Sequence, residues 1–485
     1  TISAPFPYWK RGGAVLIGAC LIGLCIFGIR GRTGYNPIKV SAAYFCQDAF
    51  LNQLGVSPTF NLLTSVMDDM RPENKYLHLM DEQEAITKAQ ALLNRPGEAN
   101  VSPLAVYRHP SMTDSVQRHR PNVVLIMMES MSCKFMKHFG QSETLTPFLD
   151  SLYTRSISFR NFYSAGIHTN HGLYATLYSF PAMMKRNLMK GSVIPRYSGL
   201  PTVLKENGYY NLFFMTHEGQ YDNMNAFFRT NGYDEVFSQE NYPADKVVNS
   251  FGVQDDFLYD YAIPVLNQRA ATGQPFFATL LSISNHPPYV IPPFFHPKTS
   301  EPETQIVEYA DWALRQFFEE ARKQPWFDNT IFVLEGDHGK LVGDAECELP
   351  ESYNHIPLMI YSSRIQPEEK TTFGGQVDIQ PTILGLLNID YLQNNFGVDL
   401  LKEERPCMFY TADNMVVGRN DTLLYLYNYE TQQELTYDIG NGKLNAVPMD
   451  DSFLPLKEYS FSMLQSAEFL VKHGKTLNSI PFTQQ

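Results

Sequence analysis

Apolar positions follow three different patterns along the chain. Residues 12–29 form one uncharged run, Gly-Gly-Ala-Val-Leu-Ile-Gly-Ala-Cys-Leu-Ile-Gly-Leu-Cys-Ile-Phe-Gly-Ile, long enough to span a bilayer as a helix. Lys10 and Arg11 flank one end and Arg30 and Arg32 the other, so flanking charge sets no orientation. Ile29-Arg30-Gly31-Arg32 is not a small-residue cleavage site, which predicts a transmembrane anchor rather than a signal peptide. Next come helical spacings, over Ala43–Leu54, Asn61–Met70 and Asp81–Leu93. Pro96-Gly97 and the polar, basic stretch Arg108–Arg120 predict a surface linker. From Pro121 onward, short runs rich in β-branched residues alternate with helical stretches. Strands are predicted from Asn122, over Ile157–Phe162, Tyr210–Met215, Phe276–Ile283 and Ile356–Tyr361, and from Thr330. Helices are predicted after Thr146-Pro147 and over Thr202–Asn207, Phe251–Gln268, Glu308–Lys323 and Asp378–Leu387. This repetition predicts an α/β fold with a mixed, mostly parallel sheet covered on both faces.

After about residue 400 the pattern changes again. Cys407–Thr411, Met415–Gly418, Thr422–Tyr429 and Glu434–Ile439 are short strands separated by turn residues, followed by a helix near Leu456–His473. The expected organisation is a membrane anchor (1–32), a helical juxtamembrane linker (33–120), the main α/β domain (121–400), and an antiparallel β subdomain with a terminal helix (401–485).

Composition narrows the classes. With 485 residues, 44% apolar and 18% charged, the chain is globular. Its formal net charge of −13 argues against a nucleic-acid partner. Six cysteines are scattered without a CxxC pair or zinc-finger spacing; a disulfide among them cannot be inferred, and they read as ordinary small apolar residues. The chain begins at Thr1 rather than Met, which points to a fragment of a longer protein.

The chemistry collects at strand ends. Asn122-Val-Val-Leu-Ile-Met-Met-Glu-Ser130 stops at Glu129, and Thr330-Ile-Phe-Val-Leu-Glu-Gly-Asp-His-Gly-Lys340 stops at Asp337 and His338. Open α/β sheets place their sites beyond the carboxyl ends of the strands, so these two segments can bring three metal-ligand side chains to one point. Two further strands stop at His217 and His286. The loop Ser164–Gly172 places the Thr169 hydroxyl between His168 and His171 at a predicted helix start. A divalent metal would make that hydroxyl a nucleophile. Taken singly, Thr169 reads as a helix cap, Asp337-His338-Gly339 as a turn, and each histidine as structural. Their joint occurrence at strand ends carries the argument.

These segments resemble the lipoteichoic acid synthase-like, or sulfatase-like, branch of the alkaline phosphatase superfamily. The matching motifs, in family order over about residues 120 to 400, are Asn122–Ser130, Leu145-Thr-Pro-Phe-Leu149, Phe159-Arg-Asn-Phe-Tyr163 followed by Thr169, Ser284-Asn-His-Pro-Pro-Tyr289, Asp328-Asn-Thr through Gly336-Asp-His338, and Gly375-Gln-Val-Asp-Ile-Gln-Pro-Thr382. The resemblance implies that Glu129, Thr169, Asp337 and His338 hold one divalent metal. Manganese is the first expectation, with magnesium or zinc as alternatives. It also implies that Thr169 forms a phospho-threonine intermediate, that His286 contacts the phosphoryl group or moves a proton, and that His217 lines a head-group pocket. His355 is a candidate for a second metal. His168 and His171 read as local loop residues, and Asp378 as a helix-start residue.

The implied protein is a phosphotransferase of the bacterial cytoplasmic membrane with its catalytic domain extracytoplasmic. Residues 12–29 resemble the last of several membrane helices. The donor would be a phospholipid, the acceptor a glycan or lipid, and the transferred group of phosphoglycerol type. Two departures bear on the head group. Where such synthases use an Arg and a Trp, this chain has Met224 and Asp222, with Arg229 one helical turn away as a substitute. Asp222 and Glu218 would suit a cationic head group, so phosphoethanolamine transfer is an alternative. A phosphodiesterase or sulfatase-like hydrolase is another, although Thr169-Asn-His-Gly-Leu173 lacks the Pro and Arg of the sulfatase C/S-x-P-x-R motif. A catalytically inactive scaffold on the same fold is the reading from outside enzymology.

Overall fold

The computed structural model describes residues 8–33, 37–46, 49–71, 74–95, 104, 106–108, 120–191, 193–440 and 442–478. Pro96, Gly97 and residues 109–119 of the expected surface linker lie outside the described residues. Helix α1 (Tyr8–Arg30) contains the apolar run, and its residues 12–30 are long and apolar enough to cross a membrane. Three helices follow: α2 (Ala49–Leu54), α3 (Pro58–Asp69) and α4 (Glu82–Leu93), the last capped by the Asp81 carboxylate on two backbone N–H groups. A short strand, β1 (Val106–Arg108), comes next.

The central sheet has eight strands: β2 (Asn122–Met128), β3 (Ile157–Tyr163), β4 (Tyr210–Met215), β5 (Glu235–Phe237), β6 (Phe276–Leu281), β7 (Thr330–Gly336), β8 (Leu358–Tyr361) and β9 (Glu368–Gly375). Their order is β5-β4-β6-β2-β7-β8-β3-β9. All neighbours are parallel except β8, which runs antiparallel to both β7 and β3. Strand β10 (Tyr391–Gln393) pairs with β1 in a separate ribbon.

Alternation along β2 explains the layers. Val124, Ile126 and Met128 join one core with helices α5 (Pro147–Tyr153), α9 (Asp255–Ala270) and α10 (Pro302–Ala321). Val123, Leu125 and Met127 join the opposite core with α6 (Thr169–Tyr178), α7 (Leu200–Glu206), α8 (Met224–Thr230) and α11 (Ile379–Leu386). A strand buried on both faces reads as a continuous apolar run, which is how it stood out in the sequence. Pro147 opens α5 as expected, but the Thr146 side chain makes no cap bond. Instead the Asp311 carboxylate of α10 accepts the N–H groups of Phe148 and Leu149, each at 2.9 Å.

Beyond residue 400, β11 (Met408–Thr411), β12 (Met415–Arg419), β13 (Leu423–Asn428), β14 (Gln433–Gly440) and β15 (Lys443–Ala446) form an antiparallel meander, backed by α12 (Leu454–Lys472). Val416, Leu426 and Leu464 belong to the same apolar cluster as Val123, so this sheet shares its core with one face of the central sheet. A buried ion pair fastens the junction. Arg405 Nε donates to both carboxylate oxygens of Asp378, at 3.0 and 2.9 Å. Asp378 also accepts the N–H groups of Gly375 and Val398.

Three expectations shift. Helix α9 starts at Asp255 rather than Phe251, because Gly252 takes a left-handed turn (φ 89°) in which its N–H bonds back to the Asn249 carbonyl. Strand β6 ends at Leu281, where Asp255 Oδ1 draws off the N–H groups of Ile283 and Ser284. Strand β9 was not read from the sequence. It is an edge strand whose outer half, Glu368-Glu369-Lys370, is charged, so it carries no apolar run.

Candidate active site

Strand register builds the site. The Asn122 side chain links the starts of three neighbouring strands: its Oδ1 accepts the Phe276 N–H at 3.1 Å and its Nδ2 lies 3.5 Å from Thr330 Oγ1. From there β2 and β7 pair residue for residue, Asn122 with Thr330 through Met128 with Gly336. The next residues on the two strands are Glu129 and Asp337, so the register brings the two carboxylates together. The Glu129 N–H donates to Ser282 Oγ at 2.9 Å, which ties the end of β6 to the same point.

Glu129, Asp337 and His338 gather their ligand atoms within 4.8 Å of one another. The His338 Nδ1 lies 2.7 Å from the Gly339 carbonyl, so that nitrogen carries the proton and Nε2 is the acceptor. Nε2 stands 3.8 Å from Glu129 Oε1 and 3.6 Å from Asp337 Oδ2. Asp337 Oδ1 accepts the N–H groups of Ser130 and His338 at 2.8 and 2.7 Å, while its buried Oδ2 has no hydrogen-bond partner. Burial first, then the charge of Asp337, pushes the Glu129 carboxyl well above the usual range. Converging lone pairs from two buried carboxylates and a neutral imidazole are the donor set a hard or borderline divalent cation requires. The residues therefore fit a metal.

Thr169 is the first residue of α6, and its hydroxyl lies 3.4 Å from Glu129 Oε2. Close backbone approach puts it there. A Cβ at Gly172 would lie 2.3 Å from the Asp337 carbonyl oxygen, so only glycine lets this helix lean on the end of β7. Gln376 fastens the same contact. Its Nε2 donates to the carbonyls of Gly336 and Asp337, at 3.1 and 2.7 Å, and its Oε1 accepts the Ala165 N–H at 2.9 Å.

The surrounding histidines divide. His286 has its Nδ1 2.6 Å from the Pro287 carbonyl, which leaves Nε2 as the basic nitrogen, and its ring packs 4.1 Å from Phe251. Burial lowers its pKa, and the nearby charges of Asp337 and His338 act on it. His217 is buried, bonds the Glu218 carbonyl through Nδ1 and packs against the Tyr221 ring. His355 lies outside the metal group: its Nε2 bonds the Arg160 carbonyl at 2.8 Å and its ring packs on Tyr163 and Phe139. His168 faces Asp413 at 2.6 Å. His171 is fully buried, with neither ring nitrogen bonded, and burial pushes its pKa down to about 3.

In the region expected to bind the head group, Asp222 adopts a left-handed conformation (φ 47°), pairs with Lys190 at 2.7 Å and approaches the Asn170 side chain. Glu218 pairs with Arg32 at 2.7 Å. Met224, expected at this pocket, is instead wholly buried in the apolar core. Arg229 lies on the Arg32 side of this region. It bonds Asn225 Oδ1 at 2.8 Å and lines a cavity with Arg32, Tyr44 and Gly219. Several site residues had not been singled out. Asn285 Nδ2 donates to the Glu129 and Ser130 carbonyls, each at 3.1 Å, and Lys340 Nζ bonds Asn285 Oδ1 at 2.6 Å. Burial lowers the Lys340 pKa to about 8. Asn285, Gln376 and Lys340 all fall inside the motifs quoted above, so position beside a ligand was the available signal. Lys190 is far from any motif and left none.

The Sulfatase family profile matches residues 121–389. The chain belongs to that family, within the alkaline phosphatase superfamily. Its similar relatives include lipoteichoic acid synthase 1 of Bacillus subtilis, 25% identical over 66% of this chain and 53% of that protein. The lipoteichoic acid synthase of Staphylococcus saprophyticus is 24% identical, over 59% of this chain and 48% of that protein. The chain thus spans about half the length of the curated relatives it matches. Among solved structures, an alkaline phosphatase superfamily protein from Vibrio parahaemolyticus superposes with a TM-score of 0.73 at 26% identity, covering 83% of this chain and 98% of that one. The lipoteichoic acid synthase LtaP from Listeria monocytogenes shares the fold with a TM-score of 0.63 at 21% identity, over 76% of this chain and 96% of that one.

Proposed function

We propose that the protein is a membrane-anchored, metal-dependent phosphotransferase that moves a phosphoglycerol-type head group from a phospholipid to a glycan or lipid acceptor. The observation that carries this reading is the Thr169 hydroxyl 3.4 Å from Glu129, beside the carboxylates and imidazole of a donor set suited to a divalent cation. Glu129, Asp337, His338 and Thr169 would hold one such ion, manganese first in expectation. When bound, the ion supplies Lewis-acid stabilisation of the Thr169 alkoxide and of phosphoryl charge.

This chain's own residues do the rest. Thr169 Oγ attacks phosphorus, the bond from phosphorus to the diacylglycerol oxygen breaks, and the head-group phosphate stays on Thr169. One proton moves, net, from Thr169 to the departing diacylglycerol. His286 would carry it through Nε2, the basic nitrogen left once Nδ1 bonds the Pro287 carbonyl. The acceptor hydroxyl then attacks phosphorus, the bond to Thr169 Oγ breaks, and His286 takes the acceptor's proton and returns it to Thr169 Oγ.

The name of the Bacillus relative supports glycerol phosphate as the cargo. The charge balance of the pocket supports it too. Asp222 is paired with Lys190 and Glu218 with Arg32, so neither carboxylate stands ready for an ammonium head group. Helix α1 would place the catalytic domain beside a lipid donor, on the extracytoplasmic face of the bacterial cytoplasmic membrane. The test is a competition in mixed vesicles of phosphatidylglycerol and phosphatidylethanolamine. Diacylglycerol should be released with loss of phosphatidylglycerol. Loss of phosphatidylethanolamine alone would transfer the assignment to phosphoethanolamine, and loss of neither would overturn it.

A further inference from the structure

Helix α3 is amphipathic the wrong way round for a water-soluble surface. Leu62, Leu63, Val66, Met67 and Met70 recur at intervals of three and four residues and are 50–77% exposed. The polar residues Asn61, Thr64, Ser65 and Asp68 occupy the half-buried side. The preceding helix repeats the inversion. Asn52 of α2 is buried, its Nδ2 bonding the Cys46 carbonyl at 2.7 Å, while Leu51 and Leu54 face outward. By contrast, between residues 121 and 400 the exposed large apolar side chains among the described residues are only Val193, Val248, Phe294 and Leu341. An apolar stripe of this kind marks a surface that is covered by something.

Two observations identify the cover. The first is continuity with α1. The apolar helix ends at Arg30, and Arg32 pairs with Glu218 at the edge of the head-group pocket. Tyr44 then carries the chain to α2: its carbonyl accepts Asn225 Nδ2 at 3.0 Å and its hydroxyl accepts Gln53 Nε2 at 2.8 Å. The inverted helices therefore follow directly from the point where a membrane span meets the catalytic domain. The second is charge. The inner side of α3 borders a cavity of about 670 Å³ lined by Arg71, Lys75, Lys185, Arg186 and Lys190 against the single carboxylate of Asp68. Four of these five cations have acidic partners: Asp68 for Arg71, Glu430 for Lys185, Glu468 for Arg186 and Asp222 for Lys190. The concentration of positive charge still contrasts with a chain of net charge −13.

We propose that α2 and α3 form an interfacial platform lying on an anionic phospholipid bilayer, with Leu54, Leu62, Leu63, Val66, Met67 and Met70 in the acyl boundary, so that the head-group pocket is held at the lipid surface. This rests on the membrane-anchoring part of the proposed function and not on the transfer chemistry. Amphipathic helices bind bilayers in this way through buried apolar area and attraction to anionic lipid.

The test uses the full chain reconstituted in phosphatidylglycerol/phosphatidylcholine vesicles. Flotation of the wild-type protein reads anchoring, and tryptophan fluorescence reads the platform. In Met67→Trp, the emission added over wild type should fall at least twofold with bromine-labelled acyl chains and resist aqueous acrylamide. A control on the catalytic domain, Phe294→Trp, should show the reverse. Protein that floats while the indole introduced by Met67→Trp is quenched by acrylamide and not by bromine overturns the platform and leaves the anchor standing. Shielding from both quenchers means a protein partner covers the face and also overturns it. Failure to float overturns the anchoring beneath it. Bromine quenching without lipid turnover retains the platform and removes only the transferase. A second variant, Leu63→Glu/Met67→Glu, should lose at least fivefold of head-group release from vesicles while hydrolysing bis(4-nitrophenyl) phosphate at the wild-type rate. Equal losses on both substrates would place the effect in folding and overturn the inference.

Discussion

The metal cluster and the head-group pocket treat negative charge in opposite ways. Among the described residues, Glu129 and Asp337 have only the His338 ring within ion-pair reach, and Asp337 Oδ2 is buried without a hydrogen bond. In the pocket, Asp222 and Glu218 lie against Lys190 and Arg32. Two buried carboxylates without a strong cation are costly. That cost is reversed by a divalent ion, which inverts the local electrostatics. Asp222 and Glu218 have no such deficit, and on the proposed reading their surroundings suit a neutral, hydroxyl-rich group. One region has the donors a cation requires and the other pairs its carboxylates with cations, and on the proposed reading this difference separates metal binding from head-group choice.

The contrast breaks most visibly at Asp337. Asp337→Asn should abolish binding of Mn2+ by elemental analysis and lower turnover at least about 10³-fold, the several kcal/mol a Lewis acid supplies. It should also melt no lower than the wild type in the presence of chelator, since it relieves like-charge repulsion. Only the wild type should gain melting temperature on addition of Mn2+. A wild type indifferent to the ion would erase the distinction between the two regions.

A smaller effect is expected one step out. Asn285→Ala removes the side chain that holds the Glu129 and Ser130 carbonyls and anchors Lys340. Metal affinity measured by titration should fall about 10–100-fold, as for other residues that orient ligands, with the ligands themselves intact. Unchanged affinity would mean that the turn at Ser130 holds its shape without Asn285.

The smallest effect belongs to the pocket. Lys190→Met removes the cation paired with Asp222 and leaves Lys39 as the nearby positive charge. KM for phosphatidylglycerol should rise about tenfold, a change of about 1.4 kcal/mol, with kcat little altered. Preference should move toward phosphatidylethanolamine. A variant that lost kcat instead would place Lys190 with the chemistry rather than with head-group choice.

How much of this was legible in the sequence follows from the physics of each part. Strands β2, β6 and β7 are buried on both faces, so they appear as apolar runs, and their polar stops at Glu129 and Asp337 are ends of paired strands in the structure. The half-charged edge strand β9 and the three-residue β5 carry too little apolar sequence to be seen. Spacing along the chain put Met224 at the head group. Local spacing cannot report which side of a short helix turns inward, and α8 turns Met224 into the core. Lys190 reaches Asp222 through a loop with no periodicity, so no pattern announced it. Helix α3 was legible as a helix. Its inverted orientation was not, because amphipathicity gives the direction of the apolar face without saying what lies beyond it.

The central claim is that Thr169 carries the head group between donor and acceptor. The most direct measurement is the intact mass of the protein after incubation with Mn2+ and phosphatidylglycerol vesicles, with acceptor withheld. The account predicts an increment equal to glycerol phosphate less one water, mapped by fragmentation to Thr169 and absent from Thr169→Ala, which should also lose turnover. Turnover at the wild-type rate in Thr169→Ala, with no adduct on either protein, would contradict it.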